Sequence, residues 1–341
     1  MRLRVLFLFF LTMTLTCTTG MRQNYAFDGR AIQRSTVERI QADLGEYPQK
    51  INPAWETFLN YYNFSLDNFE NISVGRVVRE DYPYGVMILG LEQTDAKGAV
   101  FLVHGYLDHS SLNAIFMTYL YDQGWNVYGV DMPGHGFSSG KRARIEDFNE
   151  YGQMLDLAIS QISADQQTPI LLMGHSTGGS AVMNFLLTQD YNKVSGACLF
   201  APLVQPKSWV LANVGMFLLD WAVEEVPGGG TSHSSNPAFL EFSKQQDPLL
   251  IDKVDLAWVR ATRDWIEDFK VFTPGPDIPL IVIQGTEDHV VYAEYNLPEI
   301  KRVFPQAEIL WVPDGYHSLL NEPREIRQLV FSYVSDFLYR F

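Results

Sequence analysis

Cysteine is scarce in this chain. Only Cys17 and Cys198 occur in 341 residues, which excludes a disulfide-dense scaffold. Positive charge is scarce as well: 25 Lys and Arg stand against 40 Asp and Glu, for a net charge of −15 and a pI near 4.8. That balance repels phosphate backbones and excludes nucleic acid as a partner. It also argues against electrostatic docking on an anionic membrane, so any lipid contact has to be apolar. A long hydrophobic run is missing. The stretch Val5 to Leu11, continued weakly through Met13 and Leu15, falls short of the ~20 apolar residues a helical span needs. Internal repeats and low-complexity linkers are missing too. What remains is 47% hydrophobic and 19% charged, the composition of a packed globular protein with a large core.

The first residues read as a targeting segment. Arg2 and Arg4 precede the apolar run, and the small or polar Thr16, Cys17, Thr18 and Gly20 follow it. This is the layout of a secretory signal peptide over residues 1–20. It predicts export, to a periplasm, an outer membrane or the medium. Cys17 stands where a bacterial lipoprotein carries its lipidated cysteine, although Thr14-Leu15-Thr16 fits that signal poorly. A lipid anchor at Cys17 and a retained hydrophobic anchor both stay open. Cys198, within the apolar run Val194 to Ala201, reads as a buried strand residue.

The hydrophobic pattern then divides the chain. Residues 21–72 carry two helical stretches, Thr36 to Leu44 and Pro53 to Tyr62, read as an extension packed on the main domain. Ser73 to Val78 and Val86 to Leu91 alternate like strands around Tyr82-Pro83-Tyr84-Gly85, which predicts a hairpin with its turn there. From Ala99 onward buried strands alternate with helices. The strands are Ala99 to Val103, Asn126 to Val130, Ile170 to Met173, Val194 to Phe200, Leu280 to Ile283 and Glu308 to Val312. The helical patterns include Ser111 to Asp122, Ile145 to Ser163 and Gly178 to Leu187. Such alternation predicts an α/β domain over 73–341, a mostly parallel sheet with helices on both faces. About 203–272 interrupts the rhythm with helix and no clear strand, and reads as an inserted helical cap. It contains the apolar stretch Trp209 to Val223 and the loop Pro227-Gly228-Gly229-Gly230.

The strongest chemical signal is Gly174-His175-Ser176-Thr177-Gly178. It matches G-x-S-x-G, follows a buried strand and opens a helix, the context in which a serine is presented on a tight strand-to-helix turn. The flanking glycines answer the lack of room for a Cβ, and the helix N-terminus favours developing negative charge. A serine alcohol needs a base to take its proton. In the chain order Ser, acid, His, that base is expected after the last strand, where Asp314-Gly315-Tyr316-His317-Ser318 lies. His317 is the candidate base. The orienting carboxylate is expected after the preceding strand, in Gly285-Thr286-Glu287-Asp288-His289-Val290, and Asp288 is the choice. Glu287 is expected to point the other way, and Asp314 sits too near His317 in its own loop. Two backbone N–H groups should receive the oxyanion: Thr177, after the nucleophile, and Tyr106, in His104-Gly105-Tyr106 after the strand Ala99 to Val103. His104 reads as a support for that loop. Asp131-Met132-Pro133-Gly134-His135-Gly136-Phe137-Ser138 supplies too few ligands for zinc and reads as a turn. No metal and no cofactor is implied.

Together these motifs resemble the monoacylglycerol lipase and lysophospholipase group of α/β-hydrolases, which includes serine aminopeptidase S33-like members. The resemblance is carried by His104 to Ser110, Asp131 to Ser138, Gly174 to Gly178, Gly285 to Val290, Gly315 to His317 and Asn321-Glu322. Ser234-Ser235-Asn236 and Asp247-Pro248-Leu249 in the cap add to it. It runs from about Ala99 to the C-terminus and does not reach the residues before Ser73. It implies the α/β-hydrolase fold and cleavage of a single acyl ester through an acyl-enzyme, with a lipid ester as partner and no obligate protein partner. The apolar Trp209, Val210, Leu211, Met216, Phe217, Leu218, Leu219 and Trp221 suit that substrate. Trp209, Met216, Phe217 and Trp221 are the candidate substrate contacts, lining an acyl path or leaning on a membrane surface. The alternative is that they only pack the cap on the core. The motifs are less specific for substrate than for fold. A short-chain carboxylesterase, a thioesterase or a peptidase stays open, and a binding protein with a relic site is the reading from another class. A dehalogenase is disfavoured, because that chemistry needs a carboxylate where Ser176 stands.

Overall fold

A computed structural model describes residues 32–163, 168–209, 223–228 and 233–341. The signal-like segment 1–20 with Cys17, and the candidate contacts Met216, Phe217 and Trp221, lie outside the described residues. The strands are β1 (Gln49–Lys50), β2 (Asn71–Arg79), β3 (Tyr82–Glu92), β4 (Ala99–Val103), β5 (Asn126–Val130), β6 (Ile170–His175), β7 (Val194–Phe200), β8 (Glu225–Pro227), β9 (Lys253–Asp255), β10 (Leu280–Gly285) and β11 (Glu308–Val312). The main sheet runs in the order β1-β2-β3-β5-β4-β6-β7-β10-β11. From β5 to β11 every pairing is parallel, while β1, β2 and β3 join antiparallel at the other edge.

Parallel strands need both faces covered, and the side chains alternate accordingly. In β4, Phe101 and Val103 enter one apolar cluster, while Val100 and Leu102 enter the other. The first cluster takes Tyr151 and Leu155 from α4 (Asn149–Ile162), Val182 and Phe185 from α5 (Thr177–Thr188), and Trp265 and Phe269 from a long helix, Leu256–Val271. The second takes Phe116 and Leu120 from α3 (Ala114–Asp122) and Phe331 and Val334 from the last helix, Arg324–Leu338. Each such side chain, fully removed from water, contributes roughly 1.5–3 kcal/mol.

The extension joins the second cluster. Its helices are α1 (Arg34–Asp43) and α2 (Pro53–Tyr61). Asn52 starts α2 by accepting the Ala54 and Trp55 N–H groups at 3.0 and 3.1 Å, with Pro53 in the first turn, where its missing N–H costs nothing. Trp55 and Phe58 then pack edge-on against Phe137 of the Asp131 to Ser138 turn, with centroids 5.1 and 5.2 Å apart.

Three details differ from the sequence reading. The hairpin turn falls at Glu80-Asp81, and Tyr82-Pro83-Tyr84-Gly85 belongs to β3. Between the pairs Val77↔Val86 and Arg79↔Tyr82, β2 contributes Val78 alone while β3 contributes Pro83, Tyr84 and Gly85. The surplus forms a bulge, one of the few places where a sheet accepts proline. Helix α4 begins at Asn149 rather than Ile145. Glu150 folds back to accept the Glu146 and Asp147 N–H groups, which holds the preceding residues in a turn. The cap does contain strand: β8 and β9 pair antiparallel, each of three residues and too short to leave an alternating pattern.

Candidate active site

Four loops at the C-terminal ends of parallel strands converge, the usual place for a site in this architecture. Ser176 follows β6 with φ 53° and ψ −117°, a backbone state costing on the order of 1–3 kcal/mol for a residue with a Cβ. The surroundings enforce it. The Ser176 N–H donates to Phe200 O at 2.9 Å, and the Ser176 carbonyl accepts from Leu203 N at 3.1 Å. A Cβ on Gly174 would come within 3.0 Å of the Gly178 carbonyl, and one on Gly178 within 3.0 Å of the Val103 carbonyl. Only glycine permits both approaches, and they press α5 against β4 behind the serine.

His317 and Asp288 meet after β11 and β10. His317 Nδ1 lies 2.8 Å from Asp288 Oδ2, with both side chains buried. An ionised carboxylate only accepts, so Nδ1 carries the hydrogen and Nε2 keeps its lone pair for a serine proton. Burial alone would raise the Asp288 carboxyl. The His317 contacts, the Val290 N–H and the Gln284 amide outweigh it and hold the group down at about 2. Its Oδ1 accepts from Val290 N at 2.8 Å and Val291 N at 3.1 Å, and its Oδ2 from Gln284 Nε2 at 2.9 Å. Glu287 is half exposed beside His289, and Asp314 is exposed with its N–H donating to Thr286 Oγ1.

The two expected oxyanion donors, Thr177 and Tyr106, lie on the turns after β6 and β4. Thr177 opens α5, so its N–H is an orphan of the first turn and carries the positive end of the helix. Tyr106 follows β4. Its ring stacks on Trp258 of Leu256–Val271 at 3.7 Å and 14°, and its hydroxyl donates to Ala143 O at 2.8 Å. The stack anchors the loop to the cap and the hydroxyl ties it to the segment after β5. His104 is buried in the same loop and accepts the Met132 N–H on Nε2 at 2.9 Å while Nδ1–H meets Gly105 O. Burial, against the pull of Asp131, drives it down to about 4, so it is a neutral brace at physiological pH. Asp131 is occupied likewise: Oδ1 accepts from Ser110 N and Oγ, and Oδ2 from Phe137 N. Trp209 is half-buried against the first cluster.

Three further residues join the site, and none was singled out in the sequence. Gln284 at the end of β10 steadies Asp288. His175 Nε2 donates to the His317 carbonyl at 3.0 Å, and burial brings its ring down to about 3. Asp108 Oδ2 lies 4.0 Å from His175 Nδ1, and burial pushes its carboxyl up to about 7 against the opposing pull of His109 and His317. His175 and Asp108 lie inside quoted motifs and Gln284 adjoins one, which is the signal that marks them.

Comparison with known proteins gives the family and the fold. The family described as serine aminopeptidase, S33, matches residues 94–324, more than half the chain. Mouse monoglyceride lipase is 30% identical over 253 residues, 71% of this chain and 82% of that protein. A phospholipase of Bacillus subtilis (strain 168) is 24% identical over 231 residues, 66% of this chain and 89% of that protein. Among solved structures, the monoacylglycerol lipase of Paleococcus ferrophilus superposes with a TM-score of 0.64 at 23% identity, covering 75% of this chain and 99% of that one. The fold is shared across that range of sequence.

Proposed function

The chain belongs to the serine aminopeptidase S33 family of α/β-hydrolases, and from that premise we propose that it hydrolyses the carboxylic ester of a single-acyl lipid, a monoacylglycerol or a lysophospholipid. The relatives named as lipase and phospholipase support an ester hydrolase acting on lipid. The observation that carries the catalytic reading is the 2.8 Å contact between Asp288 and His317 Nδ1 beside a serine held on a strained elbow.

In that reading Ser176 Oγ attacks the ester carbonyl as its proton passes to His317 Nε2. The carbonyl oxygen becomes an oxyanion received by the Tyr106 and Thr177 N–H groups, each worth about 10²–10³ in rate. The tetrahedral species collapses to the acyl-enzyme, and His317 returns the proton to the leaving alcohol. Water then repeats the sequence and releases the fatty acid. Asp288 stays ionised throughout and stabilises the imidazolium. The apolar cap stretch that includes Trp209, Met216, Phe217 and Trp221 is assigned to the acyl chain and to lipid-surface contact. We further propose that the protein is exported, on the strength of Arg2, Arg4 and the apolar run after them.

The test is fatty-acid release from monoolein and lysophosphatidylcholine by the purified protein, with Ser176→Ala as control. Release from either, abolished by the substitution, supports the reading and names the head group. Turnover of short-chain esters alone would reassign the cap to packing. Full activity in Ser176→Ala would overturn the site.

A further inference from the structure

Tyr62 closes α2, in the part of the chain that precedes the family match. Its hydroxyl donates to Asp247 Oδ1 at 2.6 Å. Asp247 ends the helical turn Phe242–Gln246 of the cap, and the same Oδ1 accepts the Leu249 N–H at 2.8 Å. The other carboxylate oxygen lies 3.2 Å from His109 Nε2. His109 stands on the loop that carries Tyr106, and its carbonyl accepts the Leu112 N–H as that loop turns into α3. Tyr62 is 2% and His109 1% exposed, and the Asp247 side chain 3%, so the three polar groups depend on one another for hydrogen bonding. Burial alone would neutralise both ionisable members. The Asp247 carboxylate nevertheless holds His109 above its ordinary value, and His109 with Tyr62 holds Asp247 below its own. The node is thus a buried ion pair with a phenol donor.

The aromatic packing gives it direction. Tyr61 and Tyr62 both pack on Phe242 with centroids at 5.5 Å, and the Tyr61 hydroxyl donates to Gln246 O at 2.8 Å. The extension therefore grips the cap turn through Tyr61 and Tyr62, while His109 grips the Asp247 carboxylate from the Tyr106 loop. The next residue, Ser110, is held in turn by Asp131 through its N–H and its hydroxyl. Two carboxylates thus fix the end of the loop three and four residues beyond Tyr106, and a misplacement of about 1 Å in a catalytic group costs up to about 10²-fold.

We propose that Tyr62 is a positioning residue for catalysis: it fixes Asp247, and through Asp247 and His109 the loop that presents the Tyr106 N–H. This rests on the hydrolase reading, and the test separates the two. Ser176 is titrated with a fluorophosphonate in the full-length wild type, Tyr62→Phe, Asp247→Asn and the double variant, and kcat is expressed per titrated site. Tyr62→Phe keeps the ring and removes only the donor. It is expected to lower kcat per site about tenfold, the effect of one charge-assisted hydrogen bond, with KM within about twofold. Asp247→Asn should lose at least as much, and the double variant little more than Asp247→Asn alone, as members of one network do. A fall in melting temperature with unchanged kcat per site, or losses that simply add, would overturn the inference. Absence of label on the wild type would overturn the hydrolase reading and this inference with it.

Discussion

Replacing Asp288 by Asn changes one atom, and the surrounding hydrogen bonds dictate what that atom does. Oδ1 receives the Val290 and Val291 N–H groups, so the amide oxygen of Asn has to take that position. The amide NH₂ is then left facing His317 Nδ1 at the 2.8 Å contact. Two donors cannot share that contact, so His317 must accept on Nδ1 and carry its hydrogen on Nε2. The nitrogen that should take the serine proton is then already protonated. Gln284 meets the same NH₂ with its own amide nitrogen at 2.9 Å. Its Oε1 is buried with no partner, so a flip of the Gln284 amide removes that clash at the cost of the 3.3 Å hydrogen bond from Nε2 to Gly285 O. The fold should therefore survive with a small loss of melting temperature while the chemistry fails. The same tautomer reversal in serine proteases of unrelated fold lowers kcat about 10⁴-fold, and a loss of about 10³–10⁴ in kcat is expected here. The assay is ester hydrolysis under saturating substrate beside thermal melting of the same preparation. Activity within about tenfold of wild type in a folded Asp288→Asn protein would refute the assignment of Asp288 as the orienting group.

Two further outcomes follow from the charges and from the N-terminus. The contribution of the Asp247–His109 pair to stability should depend on pH at both ends. The carboxyl, held below its ordinary 3.8, contributes in full above that value and loses its contribution as pH falls through the lowered one. The imidazole, held above its ordinary 6.5, contributes in full below that value and loses its contribution as pH rises through the raised one. Asp131 and Asp108 also act on His109, and both favour its charged form. The melting-temperature gap between wild type and Asp247→Asn should therefore be widest between the two ordinary values, 3.8 and 6.5, and narrow as pH moves far below or far above that window; a gap independent of pH would contradict the ion pair. Export predicts that the mature protein begins near residue 20, or at a lipid-modified Cys17. N-terminal sequencing and intact mass after secretion decide this, and a chain that keeps Met1 in the exported fraction would refute cleavage.

How far the sequence discloses this molecule depends on the distance over which each feature is determined. The strand Ala99 to Val103 is legible because burial on two faces demands an unbroken apolar run, and the serine turn because its glycines answer a clash within five residues. Asp288 and His317 are legible by chain order, since the fold delivers the ends of β10 and β11 to one place. The hairpin turn was misplaced for a local reason. Pro83, Tyr84 and Gly85 read as a turn wherever they occur, and only the register of β2 against β3 shows them to be a bulge. Cap strands of three residues fall below the length at which alternation can be counted. The Tyr62–His109–Asp247 node is of another kind. Its hydrogen bond from Tyr62 to Asp247 spans 185 residues, and no member has a sequence neighbour that predicts the others.

That node and the stack of Tyr106 on Trp258 bear on how the cap relates to the chemistry. The loop after β4 touches the cap through Tyr106 on Trp258 and the Asp255 N–H, and through His109 on Asp247. The loop after β11 touches it as well, since Ser318 N donates to His233 O at 2.7 Å and Glu322 accepts from Ser235 N at 3.0 Å. In the proposed mechanism one of these loops holds an oxyanion donor and the other the base. A cap attached to both cannot move as a free lid above a finished site, because any displacement of its inner residues pulls on Tyr106 or on the His317 loop. In that mechanism, moving Trp258, Asp247, His233 or Ser235 to admit a substrate carries a cost in catalytic alignment that is recovered when the cap settles.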